Sequence, residues 1–162
     1  MRASWKTGLS FGLTSGVITT LGLMVGLNSG THSRPIVIGG ILTIAIADAL
    51  SDALGIHVSE ESKNSNPARQ IWEATVATFL AKFVIALTFI VPVLVAPLDQ
   101  AILISVMWGL FLLAGLSFFI ARTQGITPWK VIGEHLVIAL CVVALTHAVG
   151  DWVRVYVADG RP

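Results

Sequence analysis

The stretch Ile36-Val-Ile-Gly-Gly-Ile-Leu-Thr-Ile-Ala-Ile-Ala-Asp48-Ala-Leu-Ser-Asp52-Ala-Leu-Gly-Ile-His57 is long and apolar enough to cross a bilayer, yet it carries two carboxylates. Asp48 and Asp52 stand four residues apart, so on a helix they share one face. A carboxylate near the bilayer centre costs roughly 2.5–3.5 kcal/mol on insertion scales. That face must therefore turn toward partner side chains or water, which makes it a candidate site for cations or protons.

The rest of the chain reads in the same way. Of its 162 residues, 55% are hydrophobic and 12% charged, whereas a soluble domain is typically about 25% charged. The mean hydropathy is +0.85. This is the composition of an integral membrane protein whose main partner is the lipid bilayer. The net charge of +1 gives no sign of a nucleic-acid partner. A single cysteine, Cys141, excludes an intrachain disulfide. There is no phosphate-binding glycine loop, no nucleophile elbow and no His-x3-His zinc spacing. Asp48 and Asp52 lie on one helix, and no second-helix motif completes an intramembrane aspartyl dyad. The expectation is a protein that is not an enzyme and holds no permanent cofactor.

A span needs about 20 mostly apolar residues. By that measure residues 1–162 form a single all-α domain of five transmembrane helices, at about 7–27, 36–57, 71–95, 101–121 and 129–157. Arg2 and Lys6 before the apolar run Gly8–Leu27 imitate a signal peptide. No small-x-small cleavage site follows in Asn28-Ser-Gly-Thr31, so the run reads as an uncleaved first span. Pro35 and Pro128 sit at helix starts, where a missing N–H is harmless. Pro92 is expected to kink or end the third span. Trp5, Trp72, Trp129, Trp152 and Tyr156 fall at membrane edges and Trp108 inside. With the N-terminus inside, Arg2, Lys6, Lys63, Arg69, Arg122 and Lys130 are cytosolic, against Arg34, Arg154 and Arg161 outside. That bias predicts an inward N-terminus and an outward C-terminus. The first span repeats glycine every fourth residue at Gly8, Gly12 and Gly16, then again at Gly22 and Gly26. Such spacing lets helix backbones approach closely, either inside one bundle or at a dimer seam.

Several stretches resemble the vacuolar iron transporter family. They are Gly12-Leu-Thr-Ser-Gly16-Val-Ile-Thr-Thr-Leu-Gly22-Leu-Met-Val-Gly26 in the first span and Ala49-Leu-Ser-Asp-Ala-Leu-Gly55-Ile-His-Val-Ser59 at the end of the second. A bulky run from Ala77 to Pro92 and Thr146-His-Ala-Val-Gly150 complete the likeness. The resemblance implies five helices, an inward N-terminus, and a homodimer whose first two helices line a path. It also implies proton-coupled export of iron(II) or manganese(II) from the cytosol. Three positions depart from the family pattern. Ser15 stands where the family has an acidic residue, Ile56 where it has a glutamate, and Asp52 where it has a methionine. Only Val58–Gln70 joins spans two and three, where many members carry an acidic metal-binding domain.

The polar residues admit two readings. Asp48 and Asp52 are either hard-cation ligands and proton carriers or members of an interhelical network. Lys82 lies about twelve residues into the third span and Asp48 about nine from the inner end of the second. Both are then roughly 14–18 Å deep and able to pair. If Lys82 and Asp48 form a lasting bridge, Asp52 is the carboxylate left free. His147 and Met24 are candidate path residues, as is Ser15. His57, Glu60 and Glu61 are candidates for a cytosolic mouth. The favoured expectation is a divalent metal transporter in the inner or plasma membrane of a prokaryote. The alternative is a proton or monovalent-cation pathway, or a structural component of a membrane complex, on the same scaffold.

Overall fold

The computed structural model describes residues 2–63 and 67–158. All regular structure among them is helical: α1 (Ala3–Thr31), α2 (Arg34–Glu61), α3 (Ala68–Thr88), α4 (Ile90–Val95), α5 (Leu98–Gln124) and α6 (Pro128–Val153), with a last π-helical turn at Arg154–Ala158. Five helical stretches are long and apolar enough to cross a membrane, α3 and α4 together counting as one. The first, second and fourth extend a few residues beyond both expected bounds and the third begins three residues early, because the helical backbone continues through polar residues that hydropathy does not register; the fifth matches its expected bounds to within one residue. Arg161, assigned above to the outer side, lies outside the described residues.

Local chemistry sets the breaks. His32 takes a left-handed backbone (φ 47°) and its N–H closes α1 on the Asn28 carbonyl at 2.9 Å. Pro35 then sits in the first turn of α2. Gly125 (φ 70°) ends α5 in the conformation glycine adopts without strain. The expected kink in the third span falls at Phe89, between α3 and α4. Pro92 has no N–H for the Thr88 carbonyl and its ring crowds that oxygen, so the helix breaks one turn earlier. The Thr88 hydroxyl donates to the Ile85 carbonyl at 2.7 Å and accepts from Trp108 Nε1 at 3.2 Å. The interior tryptophan thus braces the break from α5.

Helix α1 is the central strut, packed against α2, α3, α5 and α6. Its glycines are divided between two neighbours. A Cβ at Gly12 would stand 2.5 Å from the Thr78 carbonyl oxygen of α3, and one at Gly22 would stand 2.8 Å from Val142 of α6. The glycine repeat therefore serves close packing inside one protomer, the first of the two uses considered for it. Below it, Val17, Leu21, Met24, Val37, Ile41, Ile85, Phe89 and Leu113 form the apolar core.

Polar clamps show how the helices alternate. Arg2, Ser4 and Arg69 all reach Glu73, with Ser4 Oγ donating at 2.8 Å and Arg69 Nε at 3.1 Å. This joins the starts of α1 and α3. Arg34 donates to the Ala96 carbonyl at 2.8 Å, joining the start of α2 to the end of α4.

Candidate cation site

The buried face of α2 is Val37, Ile41, Ala45, Ala49 and Ala53, one residue per turn. Opposite it, α3 buries Ala74, Ala77 and Ala81. Small side chains on both helices let the backbones approach. Asp48 and Asp52, beside the alanine stripe, are thereby brought to Lys82, beside Ala81. Helix α1 closes the third side through Gly16, where a Cβ would stand 3.2 Å from Lys82 Cγ.

Lys82 is buried, its side chain only 2% exposed. Its ammonium lies 2.6 Å from Asp48 Oδ2, donates to Asp52 Oδ2, and donates to Ser15 Oγ at 2.9 Å. The Ser15 hydroxyl in turn donates to Asp52 Oδ2 at 2.6 Å. Ser15, Lys82 and Asp52 therefore form a closed ring of hydrogen bonds. Asp48 is an ion-pair partner held off the ideal hydrogen-bond angle. One positive charge faces two negative ones, so a second cation would find charge to balance. The carboxylates are also the accessible part: their side chains are 28% and 21% exposed. A groove of about 430 Å³ along α1 and α2, lined by Leu23, Leu27, Gly40, Thr43, Ala47 and Asp48, runs up to the first of them.

The expected Lys82–Asp48 pairing is present. Asp52 is not the free carboxylate expected beside such a bridge; it holds Lys82 more directly than Asp48 does. Ser15, a path candidate that departs from the family pattern, supplies the hydroxyl that bonds both Lys82 and Asp52. Met24 is not gathered into this cluster. It is completely buried in the apolar core, about 13 Å further along α1 by helical rise, and acts there as packing.

His147 belongs to a second polar group, at Ser29 about 21 Å beyond Ser15 along α1. Ser29 Oγ donates to Asp151 Oδ1 at 2.7 Å and lies 2.6 Å from His147 Nδ1. Ser29 Oγ also lies 3.1 Å from the His147 carbonyl oxygen, so the serine hydroxyl ties both the imidazole and the backbone of α6 to α1. Arg154 completes the group at 3.2 Å from Asp151. His57 lies against α3, with Nδ1 3.0 Å from Thr75 Oγ1 and its ring edge-on to Trp72. Glu60 is buried and pairs with Lys63 at 2.5 Å, while Glu61 is exposed. Ile56 separates these three from Asp52 by a helical turn. Among the described residues, no three His, Cys, Asp or Glu side chains gather as a metal-binding group.

One feature of α2 escaped the sequence reading. Its outward face carries Gly39, Thr43, Ala47, Ser51, Gly55 and Ser59, all exposed, at a spacing of four. Nothing lies within 4 Å of where a Cβ would stand at Gly39 or Gly55. The stripe has the same four-residue spacing as the α1 glycines but is unpacked within the protomer, and Asp48 and Asp52 each follow one of its members.

The fold is that of a multi-pass, all-helical membrane protein, with Asp48, Asp52 and Lys82 as a charged triad within two of its spans. No family model matches the chain, and no curated protein does.

Proposed function

We propose that the chain moves cations across the membrane through Ser15, Asp48, Asp52 and Lys82, with iron(II) or manganese(II) as cargo and protons as the coupled charge. The observation that carries this reading is the pair of partly open carboxylates within a span, bridged by one buried ammonium. Carboxylate oxygens suit hard divalent cations. An incoming ion and the Lys82 ammonium compete for the same oxygens, so the ammonium must give up its place on the carboxylates as the ion binds. In proteoliposomes, manganese(II) flux is expected from the native protein and none from Asp52→Asn. Undiminished flux in that variant contradicts the proposal.

A proton or monovalent-cation pathway is the second reading. The observation favouring it is that Lys82 already engages both carboxylates and Ser15. Proton flux without manganese(II) flux in the native protein decides for it.

The proposal includes a homodimer, joined through the outward stripe of α2 rather than the glycines of α1. Two copies related by a twofold axis would then set their acidic pairs beside the seam. Gly39→Leu with Gly55→Leu is expected to abolish the crosslinked dimer while leaving the melting temperature of the protomer unchanged. Persistent dimers would refute the seam.

It also includes an inward N-terminus, from the basic side chains at that end. Ser65 and Gly160, natural labelling positions for this test, lie outside the described residues. In a Cys141→Ala background, Ser62→Cys is expected to be labelled only from the cytosolic side and Ser33→Cys only from the other. The reverse pattern inverts the orientation.

A further inference from the structure

We propose that a crevice between α1 and α5, at the end of the bundle carrying Arg2 and Glu73, is a binding site for one anionic phospholipid. This goes beyond the transport reading and does not depend on it. Leu21 of α1 packs tightly on Gly109 of α5, where a Cβ would stand 3.0 Å from Leu21 Cγ. From that contact the two antiparallel helices separate toward the N-terminal end, because α1 there leans its glycines on α3.

The gap is a crevice of about 580 Å³, within the roughly 300–1,000 Å³ usual for small-molecule sites. Its lining changes character along its length. Lys6, Thr7, Ser10, Thr123 and Gln124 lie toward the membrane edge, and Leu13 and Leu116 lie deepest. Those two leucines also line a further apolar cavity of about 290 Å³ with Val17 and Ile85. A polar mouth over an apolar slot matches a headgroup with its acyl chain.

The charge selects the headgroup. Among the described residues, Arg2, Arg69 and Lys63 are paired with Glu73 or Glu60. Among the described residues, no carboxylate forms an ion pair with Lys6, Arg122 or Lys130 at the same end. Lys6 is the one of these three that lines the crevice. A basic side chain at the mouth of an interhelical pocket favours an anionic lipid.

The test is native mass spectrometry of protein reconstituted in equimolar phosphatidylglycerol and phosphatidylcholine and then extracted in mild detergent. The native protein is expected to retain one phosphatidylglycerol, enriched about fivefold over phosphatidylcholine, the factor one basic side chain near the surface contributes. Lys6→Glu should bring the two lipids to parity. Lys130→Glu, with the same change of charge outside the crevice, should preserve the enrichment. Leu116→Trp, which fills the apolar end, should lose both lipids, and added glycerol phosphate should displace neither. Parity in the native protein, equal losses in Lys6→Glu and Lys130→Glu, lipid retained by Leu116→Trp, or displacement by glycerol phosphate would each overturn the proposal.

Discussion

Replacing Asp48 and Asp52 together by asparagine is expected to lower stability by about 3–5 kcal/mol, the range for stranding one member of a buried ion pair. Lys82 is 2% exposed, so its ammonium has no route to water once both carboxylates are neutral. Either single change should have a smaller effect, because the remaining carboxylate keeps the ammonium paired. Asp52→Asn should be the worse of the two, since Asp52 also accepts from Ser15. Adding Lys82→Met to the double variant should recover most of the loss, because no uncompensated charge is left. Thermal unfolding in detergent measures all of this. Strictly additive effects across the cycle would show that the three side chains do not act as one unit.

Gly12→Leu is expected to be the next most damaging change. Its Cβ would stand 2.5 Å from the Thr78 carbonyl oxygen and 3.0 Å from Ala81 Cβ. Backbone and a packed alanine cannot move aside as a flexible side chain would. Overpacking of this kind costs about 1–3 kcal/mol and sometimes more. Here it would also part α1 from α3 one turn from the charged triad. Gly55→Leu meets open space and serves as the control. A lower melting temperature in Gly12→Leu alone is the expected result; equal melting temperatures would remove α1 from the role of central strut.

Much of the architecture was legible before any coordinates. Apolar length gave the five spans, Pro92 the break in the third, and helical spacing with depth the meeting of Asp48 and Lys82. Three features were not legible, each for a physical reason. Depth along the axis places Asp48 level with Lys82, but not the rotation of α2, which lets Asp52 reach the same ammonium. Spacing shows that α1 has glycines four apart, but not that α3 and α6 would use them. The equally regular Gly39–Ser59 stripe was in plain view; its interruption by threonine, alanine and serine hid it from a search centred on glycine. Met24 and His147 looked like path residues because type alone cannot separate a core thioether, or an imidazole bound to Ser29, from a ligand.

The triple variant Asp48→Asn, Asp52→Asn, Lys82→Met tests the central claim most directly, because it removes every charge of the cluster while leaving none stranded. Manganese(II) uptake and luminal pH would be followed together in proteoliposomes holding equal amounts of folded native and triple-variant protein. The account expects manganese(II) and proton movement in the native protein and neither in the triple variant, at similar melting temperatures. Native-level uptake by a folded triple variant would contradict it, leaving the triad a structural brace.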